Sequence, residues 1–226
     1  MRIVVPIVLA GLLVAAPSAF AKCSDYPGPG MDWSGCHKNK LILKGENLSG
    51  ASFEGANLSA TDMMASKMDK VVLRQADLSR ARFAEADLAG ADLSRAFGTH
   101  VNFAKANLSG AVLEKAEFSR ADFSGANMSG AVLDKAEIGR SNLKGAILDG
   151  AALTKAIIAR ADFSGASLKD TDFAGAFTLL ARVAATDLSS AKGLTQQQLD
   201  DMCGDDKTLL PQGLSHPAGW PCADVD

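Results

Sequence analysis

The sequence predicts a solenoid of square cross-section, and two periodicities predict it. From Leu41 to about Ser190 the chain repeats every five residues without a slip of register, most plainly in Ala-Asn-Leu-Ser-Gly (106–110) and Ala-Asp-Phe-Ser-Gly (121–125 and 161–165). A unit that short buries nothing alone, so its copies must stack on one another. The second periodicity is a step of twenty residues, which groups the units in fours.

Within each unit the leucine or phenylalanine is central and the small residue, usually alanine, lies two positions before it. Central residues run Leu48, Phe53, Leu58, Met63, Met68, Leu73 and onward to Leu188. An α-helix turns about 100° per residue and would point successive central residues around its whole circumference. A flat strand would send alternate units to opposite faces. Turning the chain after every unit keeps both apolar positions inside, and the Ser, Asn, Asp and Gly of the outward positions suit repeated turns.

The twenty-residue step shows best in the last position of the unit. Arg80, Arg120, Arg140 and Arg160 form one series, with His100 in the gap; Arg95, Lys115, Lys135 and Lys155 form another. Glycines make two more, at 90, 110, 130 and 150 and at 125, 145 and 165, while Phe83, Phe103, Phe123 and Phe163 share one central column. A step of fifteen would mix Arg with Gly. Four units therefore complete one coil.

These residues resemble the pentapeptide-repeat family over about two-thirds of the chain. The resemblance implies an all-β fold, a right-handed quadrilateral β-helix with the central and alanine positions packed inside. About thirty units over 41–190 would give roughly seven and a half coils and a rod on the order of 35 Å long, at ~4.8 Å between stacked strands.

The chain divides into four parts. Residues 1–21 have a charged start at Arg2, an apolar run from Ile3 to Ala16 and the small-residue sequence Ala19-Phe20-Ala21, as a secretory signal peptide does. The run is too short to span a bilayer, and Lys22 before Cys23 argues against a lipid-anchored cysteine. Cleavage after Ala21 predicts a periplasmic or secreted protein with no membrane span. It removes Arg2 from 23 basic residues against 26 acidic and so moves the net charge from −3 to −4. That balance is mild and points to no polyion partner by itself.

Residues 22–40 are expected to cap one end of the rod, with Tyr26, Trp33 and a Pro/Gly-rich stretch at 26–30. Residues 191–226 are expected to cap the other. There Thr195 and Gln198 make a capping box, Leu194 and Leu199 its hydrophobic staple, and a short helix runs from about Gln196 to Met202 with Leu199, Met202 and Cys203 on one face. The tail beyond, with Leu209, Leu210, Leu214 and Trp220, forms a lid, and 203–211 resembles tails of bacterial family members. The four cysteines allow three pairings. Separation by the repeat block favours Cys23–Cys36 and Cys203–Cys222 in an oxidising compartment; free buried thiols are the alternative.

Two units break the pattern. At 96–100 Gly98 is central beside Phe97, and at 176–180 Thr178 is central, leaving Phe177, Leu179 and Leu180 unassigned. A bulge with the neighbouring Phe turned inward would explain each structurally. An apolar contact formed by Phe97, Phe177, Leu179 and Leu180 would explain them functionally, as a spot that recruits a partner or a second copy, making a homodimer possible.

Chemistry is hard to place. His37, His100 and His216 lie in a cap, a break and the tail, with no neighbouring groups to make a base or ligand set. The carboxylates occupy outward repeat slots, and no phosphate-cradling glycine loop occurs. No catalytic residue, metal ligand or cofactor is expected. The candidate surface is the pair of cationic columns: Arg80, Arg95, Lys115, Arg120, Lys135, Arg140, Lys155 and Arg160. They would meet a protein or an anionic envelope polymer, unless Asp77, Glu114, Glu117, Asp134 and Glu137 neutralise them. The expected function is a non-catalytic exported scaffold or interaction module of the bacterial envelope. The alternative that the resemblance implies is a DNA mimic that binds gyrase. That role needs a strongly acidic cytoplasmic rod, which this chain is not, so no nucleic-acid partner is expected.

Overall fold

The computed structural model describes residues 23–222; the expected signal peptide at 1–21 lies outside them. Parallel bridges join each residue at the second position of a unit to the residue twenty further on, from Asp32↔Ser52 to Asp172↔Lys192. Four five-residue sides thus make each coil. Within a coil the small residue's N–H closes the corner on the preceding central carbonyl, as in Ala106 to Phe103 at 3.0 Å. Between coils the central N–H donates to the carbonyl nineteen residues on, as in Leu108 to Asn127 at 2.7 Å.

The last position of each unit is left-handed. Gly110 has φ 63°, and Lys115 and Arg140 have 56° and 59° in equivalent corners. That conformation lets the chain turn after each unit, and it explains the glycine columns, since glycine adopts it without a Cβ clash. At the second position Asn and Asp support the corner from outside. Asp122 Oδ1 accepts the Ser124 N–H at 3.0 Å, and Asn127 Oδ1 accepts that of Ser129 at 3.1 Å. Such Asx turns recur along the rod, so these side chains hold the backbone besides meeting solvent.

The core is a continuous column of central and small residues, nearly all fully buried. Phe103 stacks between Phe83 and Phe123 at 5.1 and 5.0 Å, as their shared column requires. Hydroxyls in small slots stay satisfied: Ser141 donates to the Phe118 carbonyl and Thr171 to that of Leu148, both at 2.9 Å.

The ladder reaches further toward the N-terminus than Leu41, because Asp32 and His37 bridge to Ser52 and Asn57. Trp33 takes the central slot, buried against Phe53, and the Cys23–Cys36 disulfide closes the chain over it. The Lys38 ammonium sits 3.8 Å from the Trp33 ring centroid, a cation over the last aromatic of the core. The second disulfide joins Cys203 to Cys222. Both expected pairings are present.

Helix α1 spans Gln196–Asp200, shorter than the expected reach to Met202, and begins with the capping box of Thr195 and Gln198. Its function is visible in one side chain. Gln198 Oε1 accepts the Thr195 N–H at 3.0 Å, while its Nε2 donates to the carbonyls of Phe173 and Ala176 at 3.0 and 2.9 Å. The Ala176 carbonyl, whose counterparts accept an N–H from the next coil, has no further coil to meet, whereas that of Phe173 also accepts the Ala176 N–H at 3.0 Å. Thr178 completes the seal by donating to the Gln198 carbonyl at 3.0 Å, which is why a polar residue stands at that centre.

The two irregular units are therefore not bulges with inward phenyl rings. Phe97 and Phe177 keep their second-position places in the ladder, bridging Glu117 and Ile157, and both point outward, 44% and 52% exposed. At Gly98 the core is already full: an added Cβ would lie 2.8 Å from the Leu78 backbone and 2.9 Å from Val101 Cγ2. Valine at 101, where neighbouring units carry alanine, occupies that space.

Candidate functional site

The two cationic series form two columns on adjacent edges, one residue per coil. All eight members share the left-handed corner, with φ between 56° and 60°. An L-residue there costs about 1–2 kcal/mol more than glycine would. The opposite edges carry mostly glycine in the same slots, so the cations are not demanded by the fold.

The columns differ in their company. Lys115 Nζ reaches Glu114 at 2.9 Å, and that contact, with Lys135 and Arg95 nearby, holds the Glu114 carboxyl below its ordinary range. Asp134 follows Glu114 in the same slot one coil on. Beside the arginine column the corresponding slots hold Thr99, Ser119, Gly139 and Ala159. The guanidinium groups of Arg120, Arg140 and Arg160 make no hydrogen bond or ion pair with another described residue. Some cations elsewhere are paired, such as Arg74 with Glu54 and Asp92, and Arg82 with Asp62. In the other column Lys115 is the member with an ion pair among the described residues. Glu117, Glu137 and Asp77 thus leave the arginines unneutralised; Asp77 instead accepts the Ser79 N–H at 2.9 Å.

The apolar candidates lie on that same side. Phe97, Ile157 and Phe177 occupy its second position, and Leu179 is 41% exposed while Leu180 is half-buried. Sequence reasoning had no reason to single out Ile157, which sits in the column only once the twenty-residue step is applied to Phe177.

Two hollows flank the arginine column. One, of about 540 Å³, lies over Gly139, which has no side chain, and Ala159, which has only a methyl group, beside Arg120, Arg140 and Arg160. The other, of about 750 Å³, lies between Arg140 and Arg160 and the C-terminal tail, where Cys203, Cys222 and Pro221 form its wall. That hollow depends on where the tail returns to the rod, which no local pattern in the sequence reveals.

Among the described residues no group of three or more His, Cys, Asp or Glu is placed to hold a metal. His216 belongs to the tail, its Nε2 2.8 Å from the Thr208 carbonyl and its ring edge-on to Trp220. No helix among the described residues is long and apolar enough to cross a membrane.

A capped, four-sided solenoid whose coils each take four five-residue units defines a repeat protein with extended side surfaces. The chain belongs to the pentapeptide repeat family, whose family model matches in 8 copies over residues 41–75, 66–103, 99–134 and 136–175. The fold of that family is the right-handed quadrilateral β-helix. Among solved structures the chain is similar to HetL, a pentapeptide repeat protein involved in heterocyst differentiation regulation in the cyanobacterium Nostoc sp. strain PCC 7120. The two are 29% identical over 84% of this chain and 85% of HetL, with a TM-score of 0.38. It is also similar to QnrB1, a plasmid-mediated fluoroquinolone resistance protein, at 22% identity over 76% of this chain and 88% of that one, TM-score 0.49. No curated protein matches the chain.

Proposed function

We propose that the protein is exported, loses residues 1–21, and serves without catalysis as an interaction module of the bacterial envelope. Its capped rod, with ends at 22–40 and 191–226, presents the arginine column to an anionic polymer or a partner protein. The observation that carries this reading is the row of guanidinium groups at one-coil spacing with no acidic partner among the described residues, on a rod where Arg74 and Arg82 are paired. Guanidinium forks favour carboxylate and phosphate oxygens, and a spacing of ~4.8 Å suits a periodic chain of them. The charged start with Ala19-Phe20-Ala21 and the two disulfides support export.

DNA mimicry is not favoured, because a net charge of −4 after cleavage and two cationic columns oppose an acidic rod. Two measurements test the reading. Intact mass of the protein recovered from its native host should show loss of 21 residues and of four hydrogens. Binding to immobilised lipopolysaccharide should fall when Arg120, Arg140 and Arg160 are all changed to Glu; unchanged binding would end the polymer reading.

A further inference from the structure

Arg140 and Arg160 stand between the two hollows and line both. The larger hollow has the features of a built site rather than a furrow of the repeat. Its volume of about 750 Å³ falls within the range of small-molecule clefts, roughly 300–1,000 Å³. It interrupts the regular surface where the tail, pinned by Cys203–Cys222, returns beside the coils.

The charges inside it do not cancel. Lys144 and Asp162 neutralise each other at 3.2 Å. Burial raises the Asp162 carboxyl, but hydrogen bonds from Ser164 and the Lys144 contact more than offset this, so it stays ionised and below its ordinary range. Asp205 is likewise occupied, accepting the Ala185 N–H at 3.0 Å and the Thr208 hydroxyl at 2.9 Å. Both carboxylates are thus spoken for, whereas the guanidinium groups of Arg140 and Arg160 have no partner among the described residues. Two guanidinium groups about 4.8 Å apart along the rod can take opposite oxygens of a single dianionic group. The rest of the lining is mixed. Leu180, Pro221 and the disulfide give an apolar wall, and Ser164 adds a hydroxyl. A ring with C–H faces and hydroxyl edges fits such a wall.

We propose that this hollow binds a phosphomonoester on a sugar-sized body, with Arg140 and Arg160 holding the phosphate. The proposal goes beyond the polymer reading and does not need it, although it shares two arginines. The phosphate group belongs equally to a free sugar phosphate and to the phosphorylated end of an envelope polymer.

The test is calorimetric titration of the disulfide-bonded protein with glucose 1-phosphate, inorganic phosphate and glucose. Glucose 1-phosphate should saturate one site, inorganic phosphate should bind more weakly, and glucose should not bind. The double variant R140G/R160G should weaken glucose 1-phosphate by more than about tenfold without lowering the melting temperature, because glycine suits both left-handed corners. Removing the same charge from the other column, in K135G/K155G, should change affinity by less than about twofold. No saturation by glucose 1-phosphate, equal binding of inorganic phosphate, or equal losses in the two double variants would each overturn the proposal. R120E separates the two readings: it should weaken lipopolysaccharide binding and leave glucose 1-phosphate in place. Unchanged lipopolysaccharide binding in R120E, with glucose 1-phosphate binding intact, would sink the polymer reading alone.

Discussion

The lysine column and the arginine column share backbone, spacing and the left-handed corner, yet they differ in the residue one slot before the cation. Lys115 is paired with Glu114, and Asp134 continues the acidic slot one coil on. The arginine column has Ser119, Gly139 and Ala159 in the equivalent places, and those small residues both leave the guanidinium groups unpaired and open the hollow over them. The lesson is that in a repeat rod the residue one slot away decides how much acidic charge stands beside a row of cations. Surface pairs such as Lys115 with Glu114 contribute little stability, about 0–1 kcal/mol, so their effect is mainly to cancel the field.

Several changes would break or sharpen that contrast, and the largest effect comes from the core beneath both columns. Phe103, stacked between Phe83 and Phe123, should cost about 3–5 kcal/mol on truncation to Ala. Chemical denaturation should show a single cooperative loss; separate loss of one edge would mean the columns do not share a core. Overpacking a small slot is the next test. Ala116→Leu, fully buried below the lysine column, should destabilise by about 1–3 kcal/mol, and so should Ala121→Leu below the arginine column. Markedly unequal losses would show that the square is not packed alike on adjacent sides.

At the end of the rod, Gln198→Ala leaves the Ala176 carbonyl without its donor and removes the second donor to that of Phe173. That should cost about 1–3 kcal/mol and raise hydrogen exchange first at the last coil. Relief of the corner strain is smaller still. Replacing Lys135 or Arg140 with Gly should raise stability by up to about 1 kcal/mol each, measured by thermal melting, and by equal amounts, because φ is 58° and 59°. A loss at Arg140 alone would reveal a structural contact for its guanidinium group.

Acid should act on the Asx corners. Hydrogen bonds from Ser34 hold the Asp32 carboxyl below its ordinary value of 3.8, and those from Ser189 do the same for Asp187. A carboxyl lowered on folding adds stability that is complete above its unfolded value and is lost as pH falls through the lower folded value. The rod should therefore melt at lower temperature only below about pH 4. Between residues 107 and 157 the sides leading into the cationic columns carry Val112, Val132, Glu117 and Ile157 instead of Asn or Asp. Amide exchange at low pH should rise first at Ser34, Ser164 and Ser189, whose N–H groups bond the carboxylates of Asp32, Asp162 and Asp187, and not beside Asn107 or Asn127, whose side chains do not titrate.

Most of the fold was legible because each slot of a five-residue unit has its own physical demand, and neighbours one coil away impose it again. Legibility failed where those neighbours stop. Met31-Asp32-Trp33-Ser34-Gly35 fits the register, yet its Trp and Met are large because no preceding coil crowds them, and it looked like a cap. Thr178 looked like a defect because its partner, Gln198, is an element away. The outward setting of Phe97 was hidden by the compensating Val101, whose role depends on backbone positions around Gly98. The cationic columns themselves were readable from the twenty-residue step. The acidic slot of Glu114 and Asp134 was readable as well; which lysine closes an ion pair with it was not, since that turns on side-chain reach.

The central claim, that the arginine edge and not the lysine edge is the interacting surface, is tested most directly by matched charge reversal. Binding to immobilised lipopolysaccharide should be compared for R120E/R140E/R160E and K115E/K135E/K155E, with melting temperatures confirming that both fold. Reversal of the arginine column should weaken binding by more than about tenfold and reversal of the lysine column by less than about threefold. Equal losses would contradict the account, as would binding that neither variant changes.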